Sequence, residues 1–544
     1  MISQCKTFAE TKLGQRHVLC HRKNCSGGTL MARKYIKRLL IISVGFIGLG
    51  FGLAQGTPLS TSQELSGEVS AAVTDWINKG KVYLSGGQFE AARESFEEAI
   101  ALNYKSSEAH FGLGLAEYER GDYPAALFAF SEVARLYPEF FDGHFNKAIT
   151  LSKLRRFDEA AETFATAIEE ADPEASDEQK IDAYLGYAGM LKRIERFADA
   201  AEAYNNALEL RPGDTELAYR KGEALYLDGN GLEGLADLIE LETQTSDYRV
   251  SALISDIYIQ NEQTDYALHA LERSLRKAQG AADSKAESFL SMKLGLLQTS
   301  LGQDEEAMAS FGRAAAADPS SWEAHYHYGI SFLALGQPES ALGSLQQAQA
   351  LNPDSPEVNL ALASTYDAVG MTNEAAQISQ IIVDLLDSDE LSALEQDELA
   401  TAKFFLAKAD FMQGDFETAM DKFEDVIAAK PDDSIAYTWA GLAAYNLEKY
   451  QTAIKFNEAA VAIDPKNIEA KVNLGSSYYK ATDYRNAAII YELLTEENPN
   501  DAESFYNLGL SLLAQNKPEQ AKEALTKASE LGFTAASQTL AQYF

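Results

Sequence analysis

The apolar positions of this chain fall three and four residues apart, the spacing of one face of an α-helix, and strand-type alternation is almost absent. Residues 107–140 show the pattern most plainly. His110, Leu113, Gly114 and Glu117 share one helical face. Gly121-Asp122 then breaks the helix, and Tyr123-Pro124 opens a second, because Pro is tolerated in a first helical turn. Ala126, Phe130 and Val133 form the inward stripe of that second helix, and Pro138 forbids its continuation. The stretch predicts two amphipathic helices joined by a tight turn, with Gly114 and Ala126 small enough for the backbones to approach closely. One such pair cannot bury its apolar face alone and needs copies beside it.

The chain supplies them. With Ser107 as position 1, position 8 is Gly80, Gly114, Ala148, Ala188, Gly222, Ser255, Gly295, Gly329, Ala363, Ala407, Gly441, Gly475 and Gly509 in successive units. Position 20 is Ala in every unit except the fifth, which has Gly234. Position 32 is Pro138, Pro212, Pro319, Pro353, Pro431, Pro465 and Pro499 where a proline is present. This pattern resembles the tetratricopeptide repeat, whose period is about 34 residues. The resemblance covers roughly residues 72–533 and implies an all-α fold, an α-solenoid superhelix of about 13 helix pairs. Extra residues after the third, sixth and ninth units divide the array into 72–172, 173–279, 280–387 and 388–533, that is, units 1–3, 4–6, 7–9 and 10–13. Their phase with every third unit points to duplication of a triplet. Ser176 and Gln179 have capping-box spacing, so the extra residues are expected to lengthen the next helix at its start. Gly229, Gly231 and Gly234 make residues 228–234 the expected joint, and 534–544 is expected to be a helix capping the last open face.

Composition narrows the partners. The 544 residues carry 82 Asp and Glu against 46 Lys and Arg, a net charge of −36, which repels phosphate backbones and anionic lipid. Nucleic acid is therefore excluded as an expected partner. All three cysteines, Cys5, Cys20 and Cys25, precede the repeats, so the body has no disulfide or cysteine metal site. Ahead of the array, residues 1–54 read as an N-terminal extension and signal peptide, with Met31 the expected start. Arg33, Lys34, Lys37 and Arg38 precede an apolar run over 39–53, and Gly52 and Ala54 suit cleavage before Gln55. The run is about 15 residues, short of the ~20 a spanning helix needs. Cleavage makes the protein periplasmic or secreted, and a retained segment would anchor it in the inner membrane with the body outside the cytoplasm. Residues 55–71 are a linker.

No catalytic constellation is present: no Walker loop, dinucleotide fingerprint or nucleophile elbow occurs. His325 and His327 point to different helical faces, and His110 and His325 occupy a core position. No enzyme activity, cofactor or metal is expected. The resemblance instead implies a non-catalytic protein-interaction scaffold of the bacterial cell envelope, binding partner segments on the concave face formed by first-helix positions 2, 5, 6, 9, 12 and 13. The Lys that chaperone-binding members carry at position 5 is absent from every unit, so their carboxylate clamp is not expected. The last block carries Phe404, Phe405, Phe411, Trp439, Tyr445, Tyr479 and Tyr506 in these rows, with Asn473 and Asn507 beside them. Phe404, Phe411, Trp439, Tyr445, Asn473, Tyr479, Tyr506 and Asn507 are the candidate partner-binding residues, suited to protein or peptide segments, including ones with basic residues. A membrane-anchored adaptor and a carbohydrate-binding subunit of polysaccharide export are the alternative readings.

Overall fold

The computed structural model describes residues 67–169, 175–386 and 391–544. The signal-peptide reading over 31–54 lies outside them. Among the described residues there are 27 α-helices and no strand, arranged as thirteen antiparallel pairs followed by Thr534–Tyr543. The chain divides within helix Ser284–Ser300 into two compact bodies, one ending at Leu290 and one running from Ser291 to Phe544. Each is an all-α solenoid, with each helix packed on its sequence neighbours rather than around one central core.

The pairs form because one large residue of the second helix fills the space left by a small one on the first. In unit 2 a Cβ built on Gly114 would lie 2.6 Å from the Phe130 ring, and Phe130 is fully buried. Phe96, Phe164, Phe311 and Phe423 repeat the arrangement at position 24 and are likewise buried. Unit 11 departs from it: Asn457 stands there, wholly buried, donating from Nδ2 to the Ala453 carbonyl (2.8 Å) while Oδ1 has no partner.

The turn inside each unit places position 15 in the left-handed region. Seven of these residues are glycines, such as Gly121 at φ 83°. The other six are Arg155, Glu195, Glu262, Glu448, Thr482 and Asn516, at φ 58–63°. Loops between units are held differently. His110, His144 and His325 bring Nε2 to 2.9, 2.8 and 3.3 Å from the carbonyls of Tyr104, Pro138 and Pro319, and Asn359 Nδ2 donates to the Pro353 carbonyl at 2.7 Å. Each bond links position 4 of one unit to position 32 of the unit before, so these side chains fasten loops. Lys471 takes the same place in unit 12. It is 2% exposed and pairs with the Glu497 carboxylate at 2.6 Å.

Where residues are inserted, the next first helix is longer: Asp177–Arg193 and Ser284–Ser300 have 17 residues and Ala393–Met412 has 20, against 13 or 14 in units 2, 3 and 5. Ser176 with Gln179 and Ser392 with Glu395 close capping boxes at two of these starts. In unit 5, Gly229 makes the left-handed turn at φ 86°, while Gly231 and Gly234 serve close packing. Helix Gly231–Gln244 is unbroken, and a Cβ on buried Gly231 would come within 2.8 Å of Ile257. The terminal helix lays Ala536 and Leu540 against Leu525 and Ala528, leaving Tyr543 and Phe544 exposed.

Candidate functional site

The candidate residues lie on the first helices of units 10–13: Ala393–Met412, Ser434–Asn446, Ile468–Lys480 and Ala502–Ala514. All eight are half-buried. Their rings are therefore neither free in solvent nor lost to the interior, and each touches something specific. Phe404 stands edge-on to buried Phe423 (5.5 Å) and Phe411 edge-on to Trp439 (5.3 Å). Trp439 stacks on Phe423 at 6.1 Å. Tyr445 and Tyr479 each meet a tyrosine that opens their own second helix, Tyr450 at 5.6 Å and Tyr484 at 5.2 Å. Tyr506 leans on Phe533 at 4.9 Å. Phe405, read from the sequence as part of the same rows, is a core residue instead. It is 7% exposed and packed with Leu360, Ile382 and Leu386, in keeping with position 6 of units 3, 6, 8 and 9, where Asn146, Leu253, His327 and Ala361 are buried too.

Three of the eight converge. Tyr445, Tyr479 and Asn507, from three successive units, line a cleft of about 170 Å³ together with Ser476, Lys480, Tyr491 and Leu510. Tyr491 forms its floor and shares a 2.9 Å hydrogen bond with the Ser476 hydroxyl; burial pushes its phenol up to about 12. Burial also raises the Tyr479 phenol, with Tyr484, Tyr506 and Tyr543 near enough to add to the effect. At neutral pH Tyr479 and Tyr491 thus present neutral hydroxyl-bearing rings to the cleft. The side-chain amides of Asn473 and Asn507 make no hydrogen bond among the described residues, which leaves donors and acceptors for a bound backbone. Phe404, Phe411 and Trp439 belong to a separate aromatic group. Beneath Trp439, Lys408 and Asp367 form a nearly buried ion pair at 2.6 Å, with the ammonium 5.4 Å from the indole centroid. The sequence reading missed Ser476, Lys480 and Leu510, although positions 9 and 13 lie on the same helical face. Tyr491 was hidden as an ordinary position-24 ring, and its hydroxyl was the available signal.

Among the described residues no group of three His, Cys, Asp or Glu side chains could hold a metal ion, and no helix is long and apolar enough to cross a membrane.

Three family models described as tetratricopeptide repeat match the chain. The first matches residues 77–139, 122–176, 191–243, 292–356 and 404–468, the second 332–397 and 444–509, and the third 502–531. Curated proteins give no match. Among solved structures, the Cut9–Hcn1 hetero-tetramer of the APC/C is 14% identical, over 87% of this chain and 96% of that one, with a TM-score of 0.35. The Naa15/Naa10 complex bound to HypK-THB is 13% identical over 86% and 78%, with a TM-score of 0.38. YrrB, described as having an unusual peptide-binding site, is 20% identical over 36% and 97%, with a TM-score of 0.32.

Proposed function

Because the chain belongs to the tetratricopeptide repeat family, we propose that it is an exported, non-catalytic scaffold of the bacterial envelope that holds an extended protein segment along units 10–13. Stacked repeats of this kind bind through the surface their successive helices create. The observation that carries the reading here is the cleft where Tyr445, Tyr479 and Asn507 meet. Its volume suits one side chain of a bound segment, its rings offer rigid area at low entropic cost, and the unpaired amides of Asn473 and Asn507 suit the segment's backbone. The net charge of −36 favours segments with basic residues and makes association faster at low ionic strength.

The test is selection of a displayed library of 12-residue peptides on the intact array. Peptides that combine an aromatic or long apolar residue with Lys or Arg are expected, and their binding should be lost on the Tyr445→Ala/Tyr479→Ala variant with its helical circular dichroism retained. Undiminished binding by that folded variant sinks the assignment of the groove. Export belongs to the same proposal. The mature protein isolated from its host should begin at Gln55, and an intact Met31 in the membrane fraction would replace secretion by an anchored form.

A further inference from the structure

A second site stands in the other body, on unit 6, and is independent of the groove just described. Tyr258 from the first helix and Tyr266, His269, Glu272, Arg273 and Arg276 from helix Thr264–Gly280 line a cleft of about 350 Å³. The two tyrosines stack at 5.3 Å with their planes 29° apart, and Tyr266 is 62% exposed. Arg273 is held from behind: its Nε donates to the largely buried Glu242 carboxylate at 3.0 Å. Glu242 also accepts from the Ser251 hydroxyl, and Lys277 donates to the Glu242 and Thr245 carbonyls at 3.2 Å. This leaves the two Nη groups of Arg273 without a partner among the described residues. Arg276, one helical turn on, is exposed and makes no ion pair among them.

The repeat register shows how unusual this face is. Tyr266, His269, Arg273 and Arg276 occupy positions 19, 22, 26 and 29, which share one side of the second helix. In unit 3 the same places are Glu159, Glu162, Thr166 and Glu169, and in unit 4 they are Asp199, Glu202, Asn206 and Glu209. No other unit has two basic residues among the four. On a chain of net charge −36, unit 6 alone reverses the sign of its outer helix and adds a stacked aromatic pair.

We propose that this cleft docks a short acidic segment of a protein partner, its carboxylates on Arg273 and Arg276 and an adjoining apolar side chain on the Tyr258–Tyr266 stack. Guanidinium groups recognise carboxylates bidentately, and an Arg already oriented by Glu242 loses less freedom on binding. A nucleic acid strand fits the site poorly, because a charge on every nucleotide meets the acidic surface on either side.

The test uses the full array and a fluorescein-labelled peptide, Glu-Phe-Glu-Glu-Phe-Glu, read by anisotropy at low salt. Binding is expected to weaken about tenfold or more in Arg273→Glu/Arg276→Glu. It should also weaken in Tyr266→Ala and stay unchanged in Tyr445→Ala/Tyr479→Ala. Arg276→Glu alone, at an exposed side chain without an ion pair, serves if freeing Glu242 unfolds the unit. The proposal is overturned if the wild-type array does not bind the peptide, if it binds Lys-Phe-Lys-Lys-Phe-Lys equally, or if the folded charge-reversed variant binds undiminished. Tighter binding of a single-stranded oligonucleotide would make the cleft a general polyanion site and overturn it too.

Discussion

The groove rows of units 1–6 and of units 10–13 differ in how far their side chains are tied to one another. Between Gly67 and Leu290, groove-row side chains are tied to each other across neighbouring units. Lys81 pairs with Glu108, Lys192 with Glu223 at 2.6 Å, and Arg249 with Glu216 at 2.8 Å. One more such pair, Lys408 with Asp367 at 2.6 Å, joins units 9 and 10; beside and beyond it the rows hold Phe411, Trp439, Tyr445, Tyr479, Asn473 and Asn507. An ion pair satisfied within the array has little left to offer a ligand, whereas a half-buried ring keeps area to bury and an unpaired amide keeps its hydrogen bonds. On the proposed reading, a binding stretch of this solenoid differs from a structural one in having more of its rows left open. The core beneath is the same in both.

That sameness gives the largest expected effect. Phe423→Ala in the second body and Phe164→Ala in the first should each cost about 3–5 kcal/mol, read as a lower urea midpoint, because both rings are buried to within 2% and leave a cavity. A much smaller loss at one of them would mean that the bodies do not share a packing rule. Next comes the contrast in binding. Tyr445→Ala/Tyr479→Ala is expected to weaken a selected basic peptide by about 2 kcal/mol. Lys192→Ala/Glu223→Ala should leave that affinity unchanged and alter stability by no more than about 1 kcal/mol. Equal losses of affinity would erase the distinction between the two sets of rows.

A third test probes the one polar core residue of position 24 in the binding stretch. Asn457→Leu restores the residue found at Leu345 and Leu525, removes a buried carbonyl with no partner, and should stabilise by about 1–2 kcal/mol in chemical denaturation. A destabilised variant would show that Oδ1 is satisfied. The smallest effect belongs to the charged rows. Burial, with Glu178 nearby, pushes the Asp182 carboxyl up to about 6, against about 3.9 in an unfolded chain. The folded form therefore binds the proton more tightly, and this group adds stability as pH falls from 7 toward 4. Asp182→Asn should stabilise by less than about 1 kcal/mol at pH 7, since the group is partly solvated, and by nothing near pH 4. A benefit that persists unchanged at pH 4 would point to packing rather than charge.

The fold was legible because its rule is local. A small residue at position 8, Ala at 20 and a large side chain at 24 recur at fixed spacing, and steric fit between two adjacent helices explains all three. The groove was less legible. Position 6 is half-buried in Trp439 but buried in Phe405, as it is in Asn146, Leu253 and His327, so burial at this position varies from unit to unit and helical spacing alone does not mark it. His110 reads correctly as a core residue, whereas His325 is only half-buried, and the bond each makes to a carbonyl six residues back has no mark in helical periodicity. The unit 6 cleft went unread because it depends on second-helix positions compared across units, while the groove directs attention to first helices.

The left-handed turns have a further consequence, for how such an array can be tuned over evolutionary time. Arg155, Glu195, Glu262, Glu448, Thr482 and Asn516 hold a conformation that costs a side-chain-bearing residue about 1 kcal/mol and a glycine almost nothing. Each belongs to a different unit and sits at the turn between its two helices. Arg155, Glu195 and Asn516 line neither cleft, so a change to glycine there adjusts the lifetime of one repeat and nothing else. Glu262, Glu448 and Thr482 follow closely on cleft residues, the last two donating their backbone N–H to the Tyr445 and Tyr479 carbonyls, so there durability is coupled to the shape of the cleft.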